Sequence, residues 1–445
     1  MTDALRAIPL LGWWAAPLAI SVTLIVAGLL WWFRTRHLRW FTQVLVVAAG
    51  PVVGVLAWWA VDVAWHPVAD GIGRYVWAWL GACAVVVAQA VTRRRRQREP
   101  RRGVGRAIGA AAGSMGGVVA VALAALLAIN AHFGAYPTLA AALGVGYRTA
   151  TMGQLPAAQN DPGDAPRPAG PLLASWTPPA DMPATGQVIT AEIPASDPAF
   201  VPRTGLVYLP PAYLTARRPV LPVLVLLAGQ PGEPRDWLTA GSLQTTMDAW
   251  AMTHEGLAPV VVIPDPLGSA AANPLCSDAH LGRVATYLQS DVPDSITRNF
   301  QVDTDRSRWA IAGLSNGGTC ALQVVTRDPT QYHSFLDLSG ELHPTLGSEE
   351  QTIAQGFGGD RAAYEANDPL TLLGRNTYPG IAGIFSVGAD DPAYLPAAQQ
   401  LDAAARAAGM TTELRTYPGG HGWNVWSTAL SDQLDWLGGR LGITA

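Results

Sequence analysis

The stretch SRWAIAGLSNGGTCALQVV, residues 307–325, changes character at its middle. Residues 309–313 form a short apolar run of strand length, and residues from Asn316 onward suit a helix, so Ser315 falls on the turn between them. Gly313 and Gly317 flank it in a Gly-x-Ser-x-Gly pattern. A bend this tight leaves no room for side chains on either side of the serine, and glycine also tolerates strained backbone. Strand, turn and helix in that order lift a serine hydroxyl to the carboxyl end of a sheet, where a nucleophile is wanted. The alternative is a serine that only N-caps the helix over 316–327.

A serine hydroxyl is a weak nucleophile until a base takes its proton, and the base needs a carboxylate to fix its tautomer. Downstream, IFSVGADDPAY ends an apolar strand with Asp390 and Asp391, and TYPGGHGWNVW sets His421 in a glycine loop. The order Ser, Asp, His is that of an α/β-hydrolase. Asp391 is preferred as the acid because the strand-end carboxylate of comparable hydrolases follows at the third residue after the position of Gly388, with Asp390 as the alternative.

The region 186–445 alternates short apolar runs with longer amphipathic ones. Strand candidates are GQVITAEI, TGLVYLP, VLPVLVLLAG, APVVVIPD, SRWAIAG, SFLDLSG, IAGIFSVGA and TELRTYP, and helices fit 279–298, 316–327, 393–408 and 424–438. Two leading hairpin-like strands followed by βαβ units predict an α/β sandwich, a mostly parallel sheet covered by helices. The three triad candidates all follow strand ends, where open α/β sheets place their sites.

The first 133 residues are different. Hydrophobic residues make up 49% of the chain and charged residues 14%, too apolar for an ordinary soluble enzyme. Four stretches, about 8–33, 40–62, 74–92 and 107–131, reach the roughly 20 residues needed to cross a bilayer. Ten of the 17 tryptophans lie before residue 80, many paired near the ends of these stretches, where indole rings favour the headgroup layer. Arg34, Arg36 and Arg39 follow the first stretch, and eight arginines between Arg93 and Arg106 follow the third. Both loops are therefore cytoplasmic, and four spans return both termini to the outer side. Between the second and third stretches stand Asp62, His66, Asp70 and Arg74, which marks an outward loop. The first span is expected to stay uncleaved, since its charged flank is thin and no clear cleavage site follows. Residues 134–185 are rich in proline and alanine and read as an extended tether, with Trp176 available to dock it. Beyond residue 131, where arginine is the sole basic residue besides histidine, 16 arginines face 29 acidic residues, and this acidic balance argues against nucleic acid as a partner.

The motifs LLAGQPGEPRDW, VVVIPD, GLSNGG, SGELHPTLG and PGGHGWNVW resemble the putative-esterase group of α/β-hydrolases, which includes S-formylglutathione hydrolases and the antigen 85 mycolyltransferases. The resemblance covers about 186–445 and implies an oxyanion hole of two backbone N–H groups, those of Asn316 and Gln230. Mycolyltransferases resemble this pattern with Asp-Gly-x-Arg where Ala228-Gly229-Gln230-Pro231 stands here, and their triad acid is glutamate. The aspartate sits closer to the hydrolase branch.

Asp265, Asp278, Glu341 and His343 occupy loops expected to border the cleft, while His254, His280 and His333 lack metal-ligand spacing. No metal or cofactor is expected. Cys83 falls in the third span; Cys276 and Cys320 either form a disulfide outside or remain two buried thiols. The resulting expectation is a membrane-anchored, extracytoplasmic serine esterase acting on acyl or lipid esters of the cell envelope, with the bilayer as its partner. Acyl transfer to an envelope glycan and a non-catalytic envelope-binding module are the alternatives, and transport is disfavoured because no buried charge pair marks a pathway.

The arginine asymmetry predicts that a reporter active only outside the cytoplasm will work when fused after Ala445 or within 62–74 and fail within 93–106. Fusions assayed one by one check this, and the inverse pattern contradicts it.

Overall fold

The computed structural model describes residues 2–65, 71–92, 104–145, 147, 149–154 and 170–445, with the side chains of 2, 3 and 104–110 set aside. The arginines of the run from 93 to 102, the loop residues His66 and Asp70, and most of the proline-rich stretch lie outside that description. The chain divides into two compact units, Met1–Leu143 and Gly144–Ala445.

The first unit holds α1 (Ala15–Leu30), α2 (Trp40–Trp58), α3 (Arg74–Val91) and α4 (Val104–Phe133). Four helices, Ala15–Thr35, Trp40–Trp65, Arg74–Val91 and Ala111–Phe133, are long and apolar enough to cross a membrane. The first begins later than the expected residue 8, because Pro9 bridges Thr138 and the Leu10 N–H donates to the Pro137 carbonyl. The second runs on past residue 62 as a π-helical turn, Trp59–Trp65. Asp62, read from sequence as a loop residue, therefore sits on a helix, where it accepts from Trp77 Nε1 (2.7 Å) and the Ile72 N–H (3.0 Å).

These helices are apolar on every side. Leu24, Leu45, Leu123 and Leu126 point outward while small residues face inward. Between α2 and α3 the backbones nearly touch: a Cβ at Gly50 would lie 2.8 Å from the Gly81 carbonyl oxygen, and one at Gly81 would lie 2.9 Å from that of Gly50. Gly50 and Gly54 form a GxxxG pair, which allows close packing between helices without a hydrophobic driving force.

In the second unit nine strands form one sheet in the order β1-β2-β3-β5-β4-β8-β9-β10-β11. They are β1 (Thr149–Ala150), β2 (Gln187–Ala191), β3 (Gly205–Leu209), β4 (Val223–Leu227), β5 (Val260–Ile263), β8 (Trp309–Leu314), β9 (Ser334–Leu338), β10 (Ala382–Gly388) and β11 (Thr411–Tyr417). Strand β3 runs antiparallel to β2 and β5; every other pairing is parallel. The hairpin β6 (Asp278–Ala279) and β7 (Gly282–Arg283) stands apart. Strands β4 and β5, VLVLL and VVVI, are buried throughout, as unbroken apolar runs in a sheet covered on both faces must be.

Helices α5 (Leu243–Thr253), α6 (Val292–Asn299), α7 (Asn316–Arg327), α8 (Glu349–Phe357), α9 (Arg361–Glu365), α10 (Pro369–Arg375), α11 (Tyr394–Ala407), α12 (Trp423–Asp432) and α13 (Leu434–Arg440) include the packed layers. The chain departs from sequence expectation in four places. The helix expected over 279–298 starts late, because the β6–β7 hairpin takes up 278–283. The helix expected over 424–438 is two, broken at Gln433, whose buried amide turns inward to donate to Ser386 Oγ and Tyr417 OH. Helices α8, α9 and α10 were not anticipated, although Ser348, Asp360 and Asp368 each cap one by accepting an N–H three residues on. Finally, parts of the expected tether are packed. β1 pairs with β2, buried Leu172 donates its N–H to the Gly442 carbonyl, and Trp176 Nε1 donates to the Glu255 carbonyl. Apolar side chains among the prolines give these segments something to bury.

Gly50→Ala is expected to push α2 from α3 and destabilise the first unit by about 1–3 kcal/mol, the usual cost of overpacking. A lowered thermal midpoint of the detergent-solubilised chain checks this; an unchanged midpoint contradicts it.

Candidate active site

The register of the parallel strands decides what meets at their carboxyl ends. Leu227 pairs with Gly313, Leu314 with Leu338, Leu338 with Ser386 and Gly388 with Tyr417. The loops that follow β4, β8, β9, β10 and β11 therefore open on one edge. Chain order reverses between β4 and β8, the kind of switch point at which open α/β sheets form crevices.

Ser315 sits at this edge with φ 52° and ψ −127°, a strained conformation for a residue with a side chain. A Cβ on Gly313 would run into the Gly317 carbonyl, and one on Gly317 would meet the Ala228 oxygen at 2.5 Å. The glycines are thus required by close approach. The Ser315 N–H is anchored on the Leu338 carbonyl (2.8 Å), and α7 starts at the next residue.

His421 Nε2 lies 3.0 Å from Ser315 Oγ, and its Nδ1 lies 3.0 Å from Asp391 Oδ2. A carboxylate can only accept, so Nδ1 carries the ring proton and Nε2 is left to receive one from the serine. Asp391 is buried, whereas Asp390 is exposed and donates its backbone N–H to the Gly419 carbonyl (2.8 Å). That bond, with Ala389 N–H to the Tyr417 carbonyl (2.7 Å), zips the loops after β10 and β11 together. Tyr394 stacks on the His421 ring at 3.9 Å, and Trp426 meets it edge-on at 4.9 Å.

Gln230 and Asn316 flank the serine. Asn316 is the first residue of α7, where backbone N–H groups lack intrahelical partners. A Cβ on Gly229 would approach Ser315 Cβ to 3.1 Å, which puts the backbone before Gln230 directly against the nucleophile turn. The loop is clamped from behind: Arg203 donates to both oxygens of fully buried Asp265 (2.8 Å each) and to the Gly232 carbonyl (2.9 Å).

Other loop residues read as cleft-lining prove to be engaged within the protein. Asp265 belongs to the Arg203 clamp, and Asp278 accepts from Thr286 and pairs with Arg283. Glu341 bonds Thr319. His343 Nδ1 lies 2.9 Å from buried Asp368, whose hydrogen bond raises the imidazole above its ordinary range. Cys276 and Cys320 form a disulfide, joining the loop after β5 to α7. Arg203 and Tyr394 carried no local sequence signal; each acts through a partner far along the chain, as Asp368 does toward His343 besides capping α10. Among the described residues no group of three or more His, Cys, Asp or Glu could hold a metal ion.

An α/β fold with a serine at a strand-to-helix elbow, hydrogen-bonded to a histidine that is itself held by an aspartate, has the arrangement of an α/β-hydrolase. Residues 201–437 match the family described as Putative esterase, and the chain belongs to that family. An uncharacterized protein of Corynebacterium glutamicum is 43% identical over 254 residues, which are 56% of this chain and 60% of that protein. The chain thus matches less than two thirds of that relative's length. Among solved structures, a ferulic acid esterase superposes with a TM-score of 0.50 at 22% identity, covering 57% of this chain and 98% of that one, which establishes the fold. An S-formylglutathione hydrolase from Agrobacterium tumefaciens gives 0.48 at 20% identity, over 59% and 98%.

One buried carboxyl lies beside the site without taking part in it. Asp337, on β9, accepts from the Gly340 N–H (2.6 Å) through Oδ1, while its Oδ2 has no partner among the described residues. Burial pushes its pKa up from 3.8 to about 7, against the opposing pull of that N–H. Between those two values the unfolded chain ionises Asp337 and the folded chain does not, so unfolding releases a proton and stability falls as pH rises. Above about pH 7 both states are ionised and the loss levels off. Asp337→Asn is therefore expected to gain in thermal midpoint over the parent as pH is raised from about 4 to about 8. Thermal melts across that range check it; a gap independent of pH contradicts it.

Proposed function

We propose that this chain is a membrane-anchored esterase in which Ser315 is the nucleophile, His421 the general base and Asp391 its orienting acid. The observation that carries this reading is the pair of 3.0 Å contacts linking Ser315 to His421 and His421 to Asp391. His421 Nε2 takes the Ser315 proton as Oγ attacks the ester carbonyl, and the N–H groups of Gln230 and Asn316 receive the developing oxyanion. The imidazolium then returns the proton to the leaving alkoxide, which leaves an acyl group on Ser315. Water, deprotonated by the same histidine, attacks the acyl carbon; the ester bond to Ser315 breaks, the imidazolium returns the proton to Ser315 Oγ, and the acid leaves. A sugar or glycan hydroxyl in place of water would give acyl transfer instead. Hydrolysis is the main reading, and the aspartate rather than glutamate at the acid position favours it.

The substrates we propose are lipid or cell-envelope acyl esters, met outside the cytoplasm. Four helices of membrane-crossing length support the anchoring. The Cys276–Cys320 disulfide supports an oxidising compartment for the second unit, in agreement with the orientation read from the arginines.

The test uses the full chain in detergent or nanodiscs with p-nitrophenyl esters and a fluorophosphonate probe. One label per chain is expected, abolished by Ser315→Ala. Ser315→Ala and His421→Ala should each lower turnover by about 10⁶, because the members act as a unit. Asp391→Asn should cost about 10⁴ through the wrong histidine tautomer, with Asp390→Asn near normal. Labelling that survives Ser315→Ala, or a chain that binds an envelope lipid and leaves it intact, overturns the reading in favour of a binding module.

A further inference from the structure

The loop between β5 and β6 supplies none of the residues assigned so far to chemistry, yet one of its side chains spans the two sides of the serine. The Asn273 amide Nδ2 donates to Gln230 Oε1 (3.2 Å) and to the Thr345 carbonyl (3.0 Å). Its Oδ1 accepts from the Leu275 N–H (3.0 Å) and from Asn316 Nδ2 (3.4 Å). Two donors and two acceptor positions are all that an asparagine amide has to offer, and all are used.

The footing of Asn273 is α7, the helix that begins immediately after the serine. Two residues on, the Leu275 carbonyl accepts from Gln323 Nε2 (3.0 Å), and the next residue, Cys276, is bridged to Cys320; both partners lie on α7. From that footing Asn273 reaches across to the side chain of Gln230, whose own Nε2 is held by the Ala271 carbonyl (2.8 Å) of the same loop. The two residues whose N–H groups would receive the oxyanion are thus tied by their side chains to one amide. The Gln230 loop carries glycines at 229 and 232; Arg203 holds its backbone at the Gly232 carbonyl, and the Asn273 amide holds its Gln230 side chain.

We propose that Asn273 is a positioning residue that sets the spacing and aim of the Gln230 and Asn316 N–H donors. This rests on the oxyanion roles assigned above. Oxyanion donors act because they are aimed before charge develops, and a misplacement of about 1 Å can cost about 10²-fold in rate.

The test compares the full-length parent, Asn273→Ala and Asn273→Asp in detergent, the second variant keeping the side chain's size while removing both donors. Each is expected to lower kcat about 10- to 100-fold with KM within about twofold, since only the transition state is affected. Inhibition by an alkyl boronic acid, which forms a tetrahedral adduct on Ser315, should weaken by the same factor as kcat/KM falls. For Asn273→Ala the pH midpoints of kcat/KM should stay in place, because His421 and Asp391 are untouched and no charge is added. In a double-mutant cycle Gln230→Ala and Asn273→Ala should lose less together than the product of their separate losses. Normal kcat, a raised KM at unchanged kcat, unchanged boronate inhibition or independent losses would each overturn the role of Asn273 alone. A parent chain that neither reacts with fluorophosphonate at Ser315 nor turns over esters overturns the esterase reading, and this proposal with it.

Discussion

Everything at the carboxyl edge of the sheet is built around the backbone of Ser315, held at positive φ between a strand and a helix. Such a conformation persists only where the surroundings over-determine it. Here Gly313 and Gly317 let the chain fold back on itself, Gly317 abuts the Ala228 carbonyl, and the serine N–H is pinned to Leu338 on the adjacent strand. Strain at one residue is thereby set against the packing of three parallel strands, β4, β8 and β9, all of them buried.

The elbow imposes order on its neighbours. Because β4 lies next to β8, the loop carrying Gln230 must cross beside the serine, and Gly229 is needed there for the same reason of close approach. Arg203, itself held by Asp265, bonds that loop at the Gly232 carbonyl, and the disulfide fastens the loop after β5 to α7. On the other flank the loops after β10 and β11 are joined by backbone hydrogen bonds that bring Asp391 and His421 together, with Tyr394 stacked against the imidazole. The ring has one face covered and one edge committed to Asp391, so its free nitrogen has a single direction in which to point.

The two units illustrate two ways of burying apolar surface. The second encloses a largely apolar sheet between helices, with Ser315, Asp391 and His421 gathered at its carboxyl edge. The first leaves many large side chains on the outside and packs small residues at its closest contacts, as in the cluster of Ala19, Ala124, Ala125 and Ala128 around Trp79. That inversion has a reason where the surrounding medium is itself apolar: association then depends on backbone approach, which small residues permit.

Local pattern alone determined much of this. Apolar runs bounded by turn residues located eight strands of the main sheet, the glycine spacing marked Ser315, and hydropathy with tryptophan placement marked four membrane-length helices, because each of these signals depends on residues adjacent in the chain. Asp391 and His421 could be named as candidates for the same reason, since each ends a recognisable strand. What the sequence left open depends on contacts between distant residues. Neither the burial of Asp265 under Arg203, 62 residues away, nor the Asn273 bond to Gln230, 43 residues away, has any local trace. The sequence preferred Asp391 to Asp390 by its spacing from Gly388, but the contact that pairs it with the histidine depends on two loops 30 residues apart closing on each other. The short strand β1 and the break at Gln433 belong to the same class: both exist because a sheet formed elsewhere in the chain offered an edge to pair with or hydroxyl groups to bond. Local propensity names the elements; the register of the parallel strands decides which of their ends meet.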